Sequence, residues 1–312
     1  MRETIKKVPV PVCGVMLGTA ALGNLLQSYS EALRYICGVF AAFLLLLILL
    51  KLFLFPGMVK EDMGNPIMAS VAGTFPMALM ILSTYVKPFI GQAAYYIWLF
   101  AIGLHIVLIL YFTVKFIVRI QMPKVFASYY IVYVGIAVAA ITAPVYEKPA
   151  IGSAMFWFGL VTLVILLALV TYRYVKFSEV PNPAKPLICI YAAPASLCLA
   201  GYVQSVTPKN YSFLMGMFVV ATVLYIFALI KAVSYLRLPF FPSYAAFTFP
   251  FVISAIAAKQ TMACAANLDH PLPFLQYVVL VETAIAVILV AYAYIRFLLA
   301  IFGPKIDKED KF

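Results

Sequence analysis

The stretch "PFFPSYAAFTFPFVISAIAA" (residues 239–258) is apolar enough to lie in a bilayer, yet it carries two internal prolines, Pro242 and Pro250, and five phenylalanines among small residues. Proline removes a backbone donor and clashes with the preceding turn, so this segment cannot be one uninterrupted helix. A helix that only spans lipid needs neither the break nor the aromatic bulk. Similar small-residue segments recur as "CGVMLGTAALGN" (13–24), "ASVAGTFPMALM" (69–80), "YVGIAVAAITAP" (133–144) and "YAAPASLCLAGY" (191–202). Between them lie bulky aliphatic runs such as "FAAFLLLLILLKLFLF" (40–55) and "LVTLVILLALVTY" (160–172).

Two kinds of apolar segment therefore alternate, and together they fill the chain. Of 312 residues, 66% are hydrophobic and 11% charged, against about 25% charged in an ordinary soluble domain. About 20 apolar residues cross a bilayer as helix. The breaks predict ten such spans, at 8–28, 32–55, 66–86, 89–115, 124–146, 150–172, 186–206, 210–235, 241–263 and 273–302. No stretch remains for a soluble domain, so residues 1–312 read as one all-α integral membrane domain. The start "MRETIKKVPVPVCGVML" has a basic end before its apolar run, as a signal peptide has. The run is long and lacks a small-residue cleavage site, and it reads as the first span. Cys13, Cys37, Cys189, Cys198 and Cys264 all lie in apolar surroundings with no CxxC pair, which suits buried thiols better than a disulfide or a metal site.

The formal net charge of +11 is an orientation signal. Breaks after the even spans are basic, as in "VKFIVRIQMPK" (114–124) and "TYRYVKFSEVPNPAK" (171–185). All but five of the 22 Lys and Arg fall on one side, Lys305, Lys308 and Lys311 among them, while Arg34, Lys87, Lys148, Lys209 and Lys259 fall on the other. Basic loops stay in the cytoplasm, so both termini are expected there, in the plasma membrane, and nucleic acid is excluded as a partner.

The odd spans begin at or just after Pro11, Pro66, Pro123, Pro186 and Pro242, at intervals of 55, 57, 63 and 56 residues. A period near 60 marks a helical hairpin repeated five times. Leu-rich faces suit lipid, whereas small residues allow close helix approach, and broken backbone is tolerated where protein or a water-filled cavity satisfies it. Five odd helices inside five even ones would enclose an axial path in quasi-fivefold arrangement. A tightly packed bundle without a path fits the same composition.

Chemistry within the spans is sparse. His105 sits on an even span and reads as structural; Lys259 and Glu282 are placed to pair across the ninth and tenth spans. No chain of carboxylates or histidines crosses the spans, which argues against a dedicated proton relay. No HExxH, nucleotide loop or nucleophile–base grouping appears, so an enzyme is not indicated and neither cofactor nor metal is expected. The GxxxG from Gly14 to Gly18 suits helix packing as well as pore lining.

The segments "CGVMLGTAALGN", "YAAPASLCLAGYV" and "YAAFTFPFVISA" resemble the TehA family of tellurite-resistance and dicarboxylate transporters, which includes plant slow anion channels and fungal malate permeases. The ten spans and the hairpin period agree, so the resemblance covers nearly the whole chain. It implies a homotrimer with one pore per subunit, lined by five inner helices and occluded by a phenylalanine of the ninth span. Phe249, in "TFP", matches that gate, and Gly14 matches an inner-helix glycine intolerant of bulk. One extra residue in "YAAFTFP" departs from the family pattern and shifts the alignment before Thr248.

The expected function is passive conduction of small anions (chloride, nitrate, tellurite or dicarboxylates) through a pore gated by Phe249, with Gly14, Gly18, Gly73, Pro76, Pro194 and Pro250 shaping its wall. The alternative is a proton-coupled C4-dicarboxylate transporter with Glu282 as titrating group. A third reading is a membrane scaffold without flux.

Overall fold

The computed structural model describes residues 2–303, and these are helices and turns with no strand among them. Lys305, Lys308 and Lys311 lie outside the described residues. Among the described residues, nine helices are long and apolar enough to cross a bilayer, and one further apolar helix is shorter. In chain order they are α1 (Val12–Leu26), α2 (Glu31–Leu54), α3 (Pro66–Ile90), α4 (Gln92–Ile117) and α5 (Tyr129–Tyr146). There follow α6 (Pro149–Lys176), α7 (Asn182–Ser205), α8 (Tyr211–Tyr235), α9 (Pro242–Asn267) and α10 (Leu275–Phe302). Short helices Arg2–Lys6 and Pro56–Asp62 flank the first hairpin.

The first helix is shorter than its predicted span of 8–28. Pro9 and Pro11 cannot donate, so the chain enters through tight turns in which Val12 N donates to Pro9 O at 3.0 Å and Gly14 N to Pro11 O at 2.9 Å. The other odd helices are interrupted too, in three of them beside a proline. In α3 the break is at Ala72–Gly73, four and three residues before Pro76. In α7 a 3₁₀ stretch runs to Tyr191 before the α-helical part opens around Pro194, and in α9 the break falls at Thr248, two residues before Pro250. In α5 the 3₁₀ turn Val134–Ala137 interrupts the middle.

Short turns join the two helices of each hairpin. Gly91, the one residue between α3 and α4, has φ 55°, a backbone that favours glycine. Consecutive helices therefore run antiparallel, and all the odd helices run the same way.

Burial separates the two sets. The apolar windows of α3, α5, α7 and α9 are 67–89% buried, those of the even helices 28–39%. Nearly all of α1 is buried as well. Helix α1 packs on α3 and α9, α5 on α3 and α7, and α7 on α9, while each even helix leans on the odd helix before it. The even helices turn large apolar side chains outward, among them Phe53, Phe100, Val164, Val223 and Ile288. Such a continuous apolar exterior is stable only against lipid or other protein.

Basic residues at the ends of even helices tie down the loops that lead into odd ones. Buried Lys51 donates to Lys6 O at 2.7 Å, and Lys115 to Met63 O at 3.4 Å. Buried Arg173 donates to Phe177 O (2.9 Å), Pro123 O (3.0 Å) and Glu179 O (3.3 Å), with its guanidinium over Phe126. These cations satisfy carbonyls that the helix ends leave without donors.

Candidate permeation site

The odd helices and the loops entering them surround a cavity of about 260 Å³. Among the described residues, its wall contains none from an even helix and no Asp, Glu, Lys, Arg or His. Lining positions recur every three residues at the start of several odd helices, as in Pro11, Gly14 and Leu17 at the entry to α1, or Val71, Thr74 and Met77 of α3. A 3₁₀ or tightly wound entry brings every third side chain to the same face.

Phe249 lies in this wall, 5% exposed, at the first position of the α-helical part of α9. Two features hold it. Thr248 Oγ1 lies 2.9 Å from Gly14 O and 2.7 Å from Ala245 O, so its hydroxyl pins the break to both α1 and the preceding turn. Gly18 supplies the space: a Cβ there would stand 2.5 Å from Thr248 Cβ and 2.8 Å from Phe249 N. Gly18 is thus a contact glycine behind Phe249 and is absent from the wall.

The other predicted residues divide. Gly14, Pro194 and Pro250 line the cavity with Phe249. Gly73 does not; its Cβ would meet Ile131 Cγ2 and Leu108 Cδ2, each at 3.0 Å, where α3 passes α5 and α4. Pro76 faces a separate apolar groove with Val10, Ile48 and Leu104, and it acts on the backbone by imposing the break at Ala72–Gly73.

Lys259 and Glu282 do not pair. Lys259 Nζ donates instead to Leu25 O at 3.3 Å and to Ser28 Oγ, both at the end of α1. Glu282 turns to the opposite flank of α9 and sits 6% exposed among Ser196, Tyr225 and Ser254, its Oε2 without a hydrogen-bond partner. The partners differ because the two side chains leave α9 and α10 in different directions. His105 is fully buried and its Nε2–H donates to Val132 O at 2.9 Å, a tie between α4 and α5.

Several wall residues escaped the sequence reading. Leu17, Met77 and Leu197 line the cavity together with Phe249, and each follows a predicted or polar lining position by three. That spacing was the available signal. Asn65 stands at the α3 end of the wall, its Oδ1 accepting from Ile67 N (2.9 Å) and Met68 N (3.3 Å) as a helix cap. Ser243 Oγ, also in the wall, has no partner.

No curated protein matches the chain. The family described as voltage-dependent anion channel matches residues 7–298, a span that contains every wall residue named above. This agrees with the resemblance carried by the first, seventh and ninth spans. The chain is a multi-pass membrane protein that belongs to the voltage-dependent anion channel family.

Proposed function

We propose that the chain conducts small anions passively, as a channel or permease, through a pore enclosed by α1, α3, α5, α7 and α9 in quasi-fivefold arrangement and closed by Phe249. The observation that carries this reading is the cavity walled, among the described residues, by the odd helices and the loops entering them, with no charged side chain and with Phe249 in its wall. The cyclic packing of α1, α3, α5, α7 and α9 supports the ring. The α-helical parts that begin at Val12, Thr74, Ala192 and Phe249 start beside the cavity. Helix N-termini are electropositive, and they favour an anion without binding it as tightly as a fixed cation would. A rotamer change at Phe249 would widen a narrow apolar constriction enough to rewet it.

The finer points belong to the same proposal. The pore serves chloride and nitrate, and tellurite or dicarboxylates where they fit; three copies assemble, each with its own pore. The protein resides in the plasma membrane with both termini in the cytoplasm. Planar-bilayer currents for wild type and Phe249→Ala in chloride and nitrate gradients test the reading. The expected result is a large current in the variant, with a reversal potential that follows the anion, and little current in wild type.

The unpartnered carboxylate oxygen of Glu282 favours a second reading, a proton-coupled dicarboxylate carrier. Silence of both proteins in the bilayer, together with malate uptake into liposomes driven by a proton gradient, would establish that reading instead. If Phe249→Ala lowers stability and opens nothing, the protein is a scaffold.

A further inference from the structure

Parallel odd helices create an electrostatic problem for an anion. Each contributes about half a positive charge at its N-terminus and about half a negative charge at its C-terminus. Their N-terminal ends meet the cavity on the basic side, so all their negative ends gather at the opposite, cation-poor side. An anion drawn in at one mouth would be repelled at the other.

Four of the five cations assigned to that side answer this. Lys259, on α9, donates to Leu25 O in the last turn of α1. Arg34, on α2, donates through Nη2 to Thr84 O of α3 at 3.3 Å. That carbonyl would ordinarily accept from the amide four residues on, but position 88 is proline and has no N–H. Lys87, on α3, donates to Val145 O at the end of α5, and Lys209 donates to Tyr202 O (2.8 Å) and Val206 O at the end of α7. All four are half-buried. Helix α9 closes differently: His270 N returns to Ala265 O at 2.9 Å, with Asp269 at φ 61°. The fifth cation, Lys148, is exposed and lies over the Tyr95 ring. Three carboxylates share this side, Glu31, Glu147 and Asp269, and all are exposed to solvent. Glu31 accepts from Gln27 Nε2.

We propose that Arg34, Lys87, Lys209 and Lys259 form a cationic collar that cancels the negative ends of the inner helices and sets anion-over-cation selectivity at the cation-poor mouth. The proposal rests on the conduction reading above. The arrangement is specific, because each cation reaches a carbonyl of a different odd helix. The field of a helix end fades within a turn, so only cations seated on the carbonyls can offset it. These residues act through the potential at the mouth and are selectivity residues of the path.

The test compares Phe249→Ala with the same variant carrying Lys209→Gln and Lys259→Gln, in asymmetric potassium chloride at about 0.01 M, where screening is weak. The expected result is an anion-to-cation permeability ratio reduced about tenfold, recovered at high salt and restored by Lys209→Arg with Lys259→Arg. An unchanged ratio in a conducting, folded Gln variant overturns the collar while leaving conduction intact. Absence of anion current in Phe249→Ala itself overturns the conduction reading and the collar with it. If the Gln variants do not fold, Lys209→Cys in the Phe249→Ala background is modified after folding with positively or negatively charged thiosulfonate reagents, the Phe249→Ala protein serving as control. Loss of selectivity with the negative reagent alone supports the collar; equal effects of both reagents overturn it.

Discussion

Phe249 sits where a backbone break, a threonine hydroxyl and a glycine converge, so its position is over-determined by neighbours that carry no charge. Gly18 is the most exacting of these. Gly18→Ala would force its Cβ to 2.5 Å from Thr248 Cβ, and the backbone of Phe249 leaves no room for retreat. The expected cost is about 1–3 kcal/mol of stability from overpacking, read as a lower unfolding temperature in detergent. Gly57→Ala, with nothing within 4 Å of the added methyl, serves as the neutral control. Gly14 and Gly18 look equivalent in a GxxxG pattern, yet one lines the cavity and the other packs behind Phe249. Both face α9, and the small rotation between them decides how tightly: four residues turn a helix by slightly more than one revolution, and an added methyl would stand 3.0 Å from Ala245 Cβ at Gly14 but 2.5 Å from Thr248 Cβ at Gly18.

At the scale of elements, α3, α5, α7 and α9 are broken in their interiors, whereas the even helices keep their helical hydrogen bonding across the span, because their environments differ. Odd helices are enclosed by protein and a cavity, where interrupted hydrogen bonds find partners; even helices meet lipid, where an unpaired group costs several kcal/mol. The loops between hairpins need anchors, and Arg173 is the strongest, since it reaches carbonyls at Phe177, Pro123 and Glu179. Arg173→Met should therefore destabilise by at least the ~1.5–3 kcal/mol of one hydrogen bond from a charged donor. Lys at this position should recover only part, because its ammonium cannot fan out over the same acceptors. Unfolding temperature and monodispersity in detergent report both effects.

At the scale of the molecule, a cavity wall of neutral residues bears on coupling. A passive path needs no titrating group, so chloride or malate flux through Phe249→Ala should follow its own gradient and stay insensitive to an imposed proton gradient. Glu282→Gln should leave that flux unchanged, because Glu282 lies on the flank of α9 away from the cavity wall. Liposome flux with and without a pH step distinguishes this from a coupled carrier, in which the Gln variant would be inactive. The apolar outer faces of the even helices offer the surface on which copies would associate, and light scattering in detergent should find three per particle.

Hydropathy, the proline period and the asymmetry of Lys and Arg were enough to read an all-helical membrane chain with repeated hairpins, because each depends only on local composition. The same is true of the broken helices: Pro76, Pro194 and Pro250 act on their own backbone wherever they are placed. Partner choice was not legible. Lys259 takes the carbonyl of Leu25 rather than the carboxylate of Glu282, and Gly73 meets Leu108 rather than the cavity. Such outcomes depend on the rotation of one helix against another, which is decided only when all the helices pack together. The cavity is likewise a product of packing, since its wall is assembled from residues as far apart in the chain as Pro11 and Pro250.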